Sequence, residues 1–493
     1  MKYIKGKDRF QKTMFPDLID DYIEDGNPVR VIDAFVNSLN LKDLGFKYSD
    51  SNNGRPPYNP NDILKLYIYG YFNKIRSSRK LETETKRNIE LMWLLNKLSP
   101  DHKTISRFRK DNATVLKNVF RSFVDLCLKL KLYGKELIAI DGSKFKAVNS
   151  VDNNFSDKKL TFRIKRIDEQ LEKYLSLLDD NDAVELDSPT MTEEEINSII
   201  LSLNKKKQKF EDMKTQLEET GETQISLTDP DSKRMKTASN TSEVSYNIQS
   251  AVDDKHKLVL DYEVTNSCND RNLLFPMAKK AKKILNQEEL TVVADKGYFV
   301  ATDIVKCINN NITAHVSNKN ENISMCILSD DKQNHIGEWQ DFRGESVYFK
   351  EHNLGVCSMG QILYPKGYLK NEKAAVFSNA AACKNCIHHD KCIKTFKRLK
   401  VKMPKESFSQ KYDEENLFLK QITYSPDKNI LKRRKAIVEH PFGTIKRHLN
   451  SGYCLLKGLK NVQGEFALTF LAYNLKRVIN MLGVDTLIRE IQS

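Results

Sequence analysis

The sequence lacks any run of about 20 apolar residues, the length a membrane-spanning helix needs; its longest apolar stretch, residues 466–475, is about half that. The opening MKYIKGKDRF carries no apolar segment of the kind that heads a secreted chain. Cysteine is present at nine positions, an odd number unevenly spread, which disfavours a disulfide framework. Glycine and proline are scarce, at 19 and 13 of 493 residues, which excludes a collagen-like chain. A composition of 40% hydrophobic and 30% charged residues excludes wholesale disorder. Together these features lead us to expect a soluble, unsecreted protein with a sizeable core, organised as about three domains or one large elaborated one.

Positive charge is abundant. The 80 lysines and arginines outnumber 66 acids, a net charge of +14, which favours a polyanionic partner such as nucleic acid or a membrane surface. A basic but ordinary enzyme is the plain alternative.

Residues 1–130 read as a helical domain. Apolar Val29, Val31, Ile32, Phe35, Val36 and Leu39 recur at helical spacing, and Asn59-Pro60-Asn61 opens a second such run. A short helix over 91–98, a break at Ser99-Pro100-Asp101 and a basic helix from Lys103 form a helix, turn, helix pattern. Ser106, Arg107, Arg109 and Lys110 on that second helix are candidate contacts to double-stranded DNA; a solvated basic face is the plainer reading of the same residues.

At residue 137 the texture changes. LIAID is a continuous apolar run ending in Asp141, the pattern of a buried strand with a carboxylate at its end. From about 159 to 220 the chain turns highly charged with heptad-like apolar spacing, divided at Ser188-Pro189, and Thr192 with Glu195 makes a capping-box pattern. This predicts an inserted antiparallel helical hairpin. A β-hairpin follows from Val244, then a basic helix over 271–287, then LTVVAD, a second buried-type strand ending in Asp295, and α/β alternation through ITAHV. Residues 326–410 read as an irregular Cys-containing insertion, and 411–493 as helical again. The domain layout is thus 1–130, 131–325 (with the hairpin at 159–220), 326–410 and 411–493.

Two strands ending in aspartate and a distant helix bearing Glu439 supply three carboxylates, the hard oxygen donors that Mg²⁺ prefers. Aspartate also ends many strands simply as a turn former. Near Glu439, Lys435 and Lys446 would share its face of a helix, although Pro441 and Gly443 inside that helix predict a kink or two abutting helices. Asp229, Asp231, Asp253 and Asp270 are rival carboxylates, read as structural or supporting. In the insertion, Cys357, Cys383, Cys386 and Cys392 follow the pattern Cys-x25-Cys-x2-Cys-x5-Cys, which allows a tetrahedral structural Zn²⁺ site, a group of free thiols or a redox pair. A lysine-rich stretch from Lys394 follows them.

The segments IAIDGSKFKAVNS at 138–150, TDPDSKRM at 228–235, YNIQSAVD at 246–253, VVADKGY at 292–298 and VEHPFGTIKR at 438–447 resemble bacterial insertion-sequence transposases of the DDE type. NPVRVIDAFV at 27–36 and PDHKTISRFR at 100–109 resemble the amino-terminal helical domain of the same family. The resemblance implies an α/β, ribonuclease H-like mixed-sheet core that cuts DNA at element ends and joins the freed 3′-hydroxyl to target DNA by two-metal-ion chemistry. It implies that Asp141, Asp295 and Glu439 bind Mg²⁺ or Mn²⁺, Asp141 bridging, and that Lys446 is the basic residue seven positions after the glutamate. The wider signature Tyr-x2-Arg-x3-Glu-x6-Lys is met only in part, since Lys432 and Lys435 fill its first two slots and Arg433 or Arg434 stand nearby as substitutes. Tyr298, Arg434, Lys435 and Arg447 join the DNA-contact candidates. A homodimer on DNA and a bacterial cytoplasmic, nucleoid-associated location are the matching expectations. The alternatives are a non-catalytic DNA-binding regulator derived from a transposable element and a stand-alone nuclease.

Overall fold

The computed structural model describes residues 18–47, 56–183, 191–237, 241–317, 323–329, 334–337, 347–349, 353–357, 361–384, 386, 399–412 and 418–493. Helices α1 (Pro28–Asn37), α2 (Pro60–Phe72), α3 (Ser78–Thr85), α4 (Ile89–Leu94), α5 (His102–Asp111) and α6 (Leu116–Lys129) come first. Local chemistry sets their starts. Asn27 accepts from the Val29 N–H with Pro28 at the first helical position, Asn59 and Pro60 repeat the device for α2, and Asp101 caps α5 through the N–H groups of Lys103 and Thr104.

The sheet follows: β1 (Leu137–Lys146), β4 (Lys233–Lys236), β5 (Ser242–Asp253), β6 (Val259–Thr265), β7 (Leu290–Ala294) and β8 (Ile312–Val316), with the small pair β2 (Asn154–Ser156) and β3 (Gln224–Ser226) outside it. The order is β4-β5-β1-β7-β8, with β6 also on β5. β1, β5 and β6 pair antiparallel, whereas β7 and β8 continue parallel to β1. Three antiparallel strands extended by two parallel ones, with α9 (Leu274–Leu285) and α10 (Ala301–Asn309) as crossovers, make a ribonuclease H-like mixed sheet.

Between β2 and β3 stands the hairpin, α7 (Asp157–Ala183) and α8 (Glu193–Thr220). Its predicted cap is present: Glu195 N–H donates to Thr192 Oγ1 at 3.3 Å and Thr192 N–H to the Glu195 carboxylate at 3.0 Å. The predicted divide at Ser188-Pro189 lies outside the described residues.

The expectation of an irregular insertion is corrected, because the backbone there is strand-rich. β9 (Ile323–Ser329) pairs with β10 (Asn334–Gly337) and with β16 (Phe418–Tyr424), while β11 (Val347–Phe349), β12 (Leu354–Val356), β13 (Ile362–Leu369), β14 (Ala374–Ser378) and β15 (Leu399–Lys402) form a five-stranded meander; α11 (Ala380–Lys384) follows β14. β9 and β16 register Ile323 against Tyr424, so the insertion leaves and re-enters the core on one antiparallel stem. Short strands closed by long-range pairing leave little periodic signal in sequence.

α12 (Lys428–Gly443), α13 (Leu459–Leu482) and α14 (Val484–Gln492) close the chain. α13 is the central pillar: Phe466, Leu468, Phe470, Leu471, Tyr473 and Leu475 are all buried, and it touches α2, α6 and β6. The apolar stretch 466–475 is therefore interior helix, and no helix among the described residues is long and apolar enough to cross a membrane. The amino-terminal helices and the sheet share one core. Gly464 permits this packing, since a Cβ there would come within 2.3 Å of the Ala113 carbonyl oxygen. Beside it, buried Glu465 accepts from the N–H groups of Leu455 and Leu456 and sits 3.8 Å from the Arg76 guanidinium, which fastens the helical region to the last helices.

Candidate active site

β1 and β7 lie side by side and parallel, with Ile140 opposite Ala294. The next residues, Asp141 and Asp295, therefore stand at the same level on neighbouring chains, whose spacing in a sheet is about 5 Å. Asp295 Oδ1 caps the short 3₁₀ turn Lys296–Tyr298 by accepting from Gly297 N–H at 2.7 Å. Asp141 Oδ1 accepts from Gly142 N–H at 3.0 Å. Burial pushes the Asp141 carboxyl up to about 7, against the pull of the Arg434 guanidinium, and the nearby charges of Asp295 and Asp270 raise it further. This is a partly desolvated corner in which neighbouring carboxylates face one another, with Arg434 as the cation beside Asp141.

A third carboxylate enters from the loop after β6. Asp270 Oδ1 accepts from Asn247 Nδ2 at 2.8 Å, Gln249 Nε2 at 2.9 Å and Lys144 Nζ at 3.4 Å. It fits there because residue 142 is glycine: a Cβ at Gly142 would lie 2.7 Å from Asp270 Oδ1 and 2.2 Å from Gln249 Nε2. Gln249 also accepts from the Tyr298 hydroxyl. Sequence reading named Asp270 as a rival carboxylate in a structural or supporting role but did not place it beside Asp141 and Asp295. The signal that could have placed it there was Asn247 and Gln249, two amides on one face of the apolar strand β5, since buried amides require partners.

Asp253, Asp229 and Asp231 serve backbone N–H groups. Asp253 accepts from the N–H groups of Gly134, Lys135 and Lys255, while Asp229 and Asp231 accept from the N–H groups of Gly458 and Leu459 where α13 begins.

Glu439 is not gathered with the aspartates. α12 packs across β1 and β7, yet the Glu439 side chain is mostly exposed, its Oε1 3.7 Å from Lys435 Nζ. The side chain that α12 presents to Asp141 is Arg434, 3.8 Å from Oδ2, while Arg433 pairs with Asp254. Two expectations about this helix are corrected. α12 runs through Pro441 as one helix and then opens into a π-helical turn, Thr444–His448. That turn takes Lys446 off the face of Lys435 and Glu439: its ammonium donates to Ser143 Oγ at 2.7 Å and to the Lys144 carbonyl at 3.0 Å, over the Phe145 ring. Burial lowers the Lys446 pKa, and Asp141 opposes that shift.

Of the DNA-contact candidates, Ser106, Arg107 and Lys110 are exposed on α5, and Lys435 and Arg447 are exposed as well. Arg109 is corrected: it points inward, donates to Tyr71 Oη at 3.1 Å and lies over the Tyr67 ring, so its charge is used within the helical core. Tyr298 is corrected likewise, being wholly buried with its hydroxyl on Gln249.

Cys357, Cys383 and Cys386 form no disulfide among the described residues and are partly exposed, whereas Cys392 lies outside the described residues, as do Lys394, Lys397 and Arg398 of the lysine-rich stretch. Among the described residues no three His, Cys, Asp or Glu side chains are grouped so as to hold a metal ion.

Residues 17–111 match a family described as Transposase domain (DUF772), and residues 218–475 match the Transposase DDE domain, which alone takes in more than half of the chain. The chain belongs to the DDE transposase family. The DDE match includes Asp295 and Glu439, while Asp141 of this transposase lies ahead of it. No curated protein matches. Among solved structures, one described as the cryo-EM structure of piggyBac transposase synaptic complex with hairpin DNA is 8% identical, with 95% of this chain and 79% of that chain covered at a TM-score of 0.29. So slight a likeness bears on nothing further.

Proposed function

We propose that this transposase cuts DNA at the ends of an insertion sequence and joins the 3′-hydroxyl to target DNA, with Asp141, Asp295 and Glu439 as the ligands of Mg²⁺ or Mn²⁺. The observation that carries this reading is the register of β1 and β7, which sets two family-motif aspartates side by side. The donor chemistry suits a hard divalent cation: both aspartates offer carboxylate oxygens, and burial together with the charge of Asp295 raises the Asp141 carboxyl to about 7 against the pull of Arg434. Glu439 enters through its motif. Its pairing with Lys435 is between two largely exposed side chains, an association worth about 0 to 1 kcal/mol, so little opposes a turn toward the aspartates.

Divalent ions bound there would polarise the phosphodiester and lower the pKa of the attacking oxygen. The chain's own groups do the positioning. Arg434, released from Asp141, is within reach of a phosphate, and Lys446 fixes the β1 edge at Ser143 and Lys144. Asp270 holds Asn247, Gln249 and Lys144 in place beside the aspartates. Ser106, Arg107 and Lys110, exposed on α5, would hold duplex backbone. A homodimer pairing two ends and a cytoplasmic location belong to the same proposal.

The test is strand transfer from a plasmid carrying the element ends, in Mg²⁺, by wild type and Asp295→Asn. Loss of product in the variant supports the reading; equal activity overturns it. Wild-type binding to ends without metal-dependent cleavage would favour the non-catalytic regulator, and cleavage indifferent to end sequence the nuclease. A structural zinc on Cys357, Cys383, Cys386 and Cys392 is a separate proposal resting on the Cys-x2-Cys spacing; metal analysis of purified protein with and without Cys383→Ser decides it.

A further inference from the structure

The α7–α8 hairpin has no part in the chemistry above, yet its charges are strongly sorted along its length. In its basal half, residues 157–168 and 205–220, ten lysines and arginines accompany six acids. In its distal half, residues 169–183 and 193–204, a single lysine accompanies eight acids. Register makes this a spatial division: Lys207 Nζ sits 2.7 Å from Asp168, pairing the two basic segments side by side. The base is also firmly built. β2 and β3 pair Asn154 with Ser226, and Phe155, Leu160, Met213 and Leu217 form a small core of their own.

At that base Lys207, Lys214 and Lys233 are paired with Asp168, Asp157 and Glu222, whereas two arginines are left without a carboxylate among the described residues. The Lys159 ammonium is fully occupied, donating to the carbonyls of Val151, Asp152 and Asn154 at 2.9, 3.0 and 2.8 Å. Arg163 on the next turn of α7 and Arg234 on edge strand β4 are close enough for both their charges to act on it. Neither guanidinium has a carboxylate partner among the described residues, and Arg234 is exposed. Two guanidiniums beside an already committed lysine offer the planar donor groups that suit a phosphate.

The position is informative. The Arg234 carbonyl accepts from Cys268 Sγ at 3.8 Å, and Gln224 of β3 reaches the same sulfur at 3.9 Å. Cys268 is two residues before Asp270, which stands beside Asp141 and Asp295. The hairpin base is therefore continuous with the carboxylate corner through a single short segment.

We propose that the basal half of the hairpin is a binding surface for the backbone of duplex DNA flanking the reacting phosphodiester, with Arg163 and Arg234 as its phosphate ligands. This rests on DNA being the substrate. The basic twelve residues of α7 extend about 18 Å at 1.5 Å per residue, matching about five phosphates of one strand. The acidic distal half is repelled by that backbone, which confines contact to the base and leaves the tip pointing away from the duplex.

The experiment is fluorescence anisotropy of the full chain on a labelled duplex of the element's terminal sequence, over a series of salt concentrations. Arg163→Gln/Arg234→Gln is expected to weaken binding about tenfold or more and to reduce the slope of log K against log salt by about two, close to one per lost phosphate contact. Glu193→Gln/Glu194→Gln at the far end is expected to leave the slope unchanged. Unaltered affinity and slope in the arginine variant overturn the proposal while leaving the catalytic reading intact. Failure of wild type to bind duplex overturns both. Arg163→Lys/Arg234→Lys, which keeps the charge, should restore the slope, and loss of slope in that variant as well would assign the arginines a purely structural role and overturn the proposal. Should the glutamine pair fold poorly, Lys205→Gln/Lys209→Gln on the facing segment of α8 reads the same surface.

Discussion

The Arg434 guanidinium lies 3.8 Å from Oδ2 of Asp141, bringing a cation from α12 to a carboxylate that burial forces toward neutrality. This contact joins the last helix of the site to its first strand, across nearly 300 residues of sequence, and ties stability to pH.

Without divalent metal, Asp141 should destabilise the fold as pH rises. Its folded pKa of about 7 exceeds the ordinary 3.8, so below 3.8 the group is protonated in both states and contributes nothing. Between these values the unfolded chain releases the proton and the folded chain retains it, and stability declines until about pH 7, by on the order of 2 to 4 kcal/mol. Asp141→Asn should therefore melt higher than wild type at pH 8 and alike at pH 3.5, measured by thermal denaturation in EDTA. Equal melting at pH 8 would refute the raised pKa.

Mg²⁺ should raise the melting temperature of wild type markedly at pH 8 and little at pH 5.5, because protonated Asp141 competes with the ion. A concentration of 100 times Kd corresponds to about 2.7 kcal/mol. Asp295→Asn should abolish the shift. A shift that is independent of pH and survives Asp295→Asn would place the cation elsewhere.

Gly142→Ala should disable the site while sparing the rest of the chain. The added methyl collides with the Gln249 amide and the Asp270 carboxylate, and relief requires displacing a hydrogen-bonded network, at a cost of about 1 to 3 kcal/mol. A small drop in melting temperature with loss of strand transfer is expected; retained activity would show that Asp270 need not stand where it does.

Arg109 and Arg107 should separate stability from DNA affinity. Arg109→Ala removes a buried cation bound to Tyr71 and should cost about 2 to 4 kcal/mol. Arg107→Ala removes an exposed one and should leave melting unchanged while lowering the salt slope of DNA binding by about one. Urea denaturation and anisotropy on both variants provide the comparison, and the reverse pattern would show that α5 does not present its basic face to DNA.

Short-range patterns were legible in the chain itself. The apolar runs before Asp141 and Asp295 are strands, Thr192 and Glu195 cap α8, and Asn27, Asn59 and Asp101 start helices where their residue types say they should. Each of these depends on neighbours within a few residues, and so periodicity and capping chemistry suffice.

Side-chain direction was settled only by tertiary packing. Arg109 read as a DNA contact until Tyr71, 38 residues earlier, turned it inward, and Tyr298 until Gln249, 49 residues earlier, took its hydroxyl. Asp270 gained its place only when β1, β5 and the loop after β6 converged, with a glycine opposite. The sequence determined which groups could perform the chemistry. The packing of distant segments decided which of them face the carboxylate corner, because a polar side chain goes where its buried partners are, and those partners lie far along the chain.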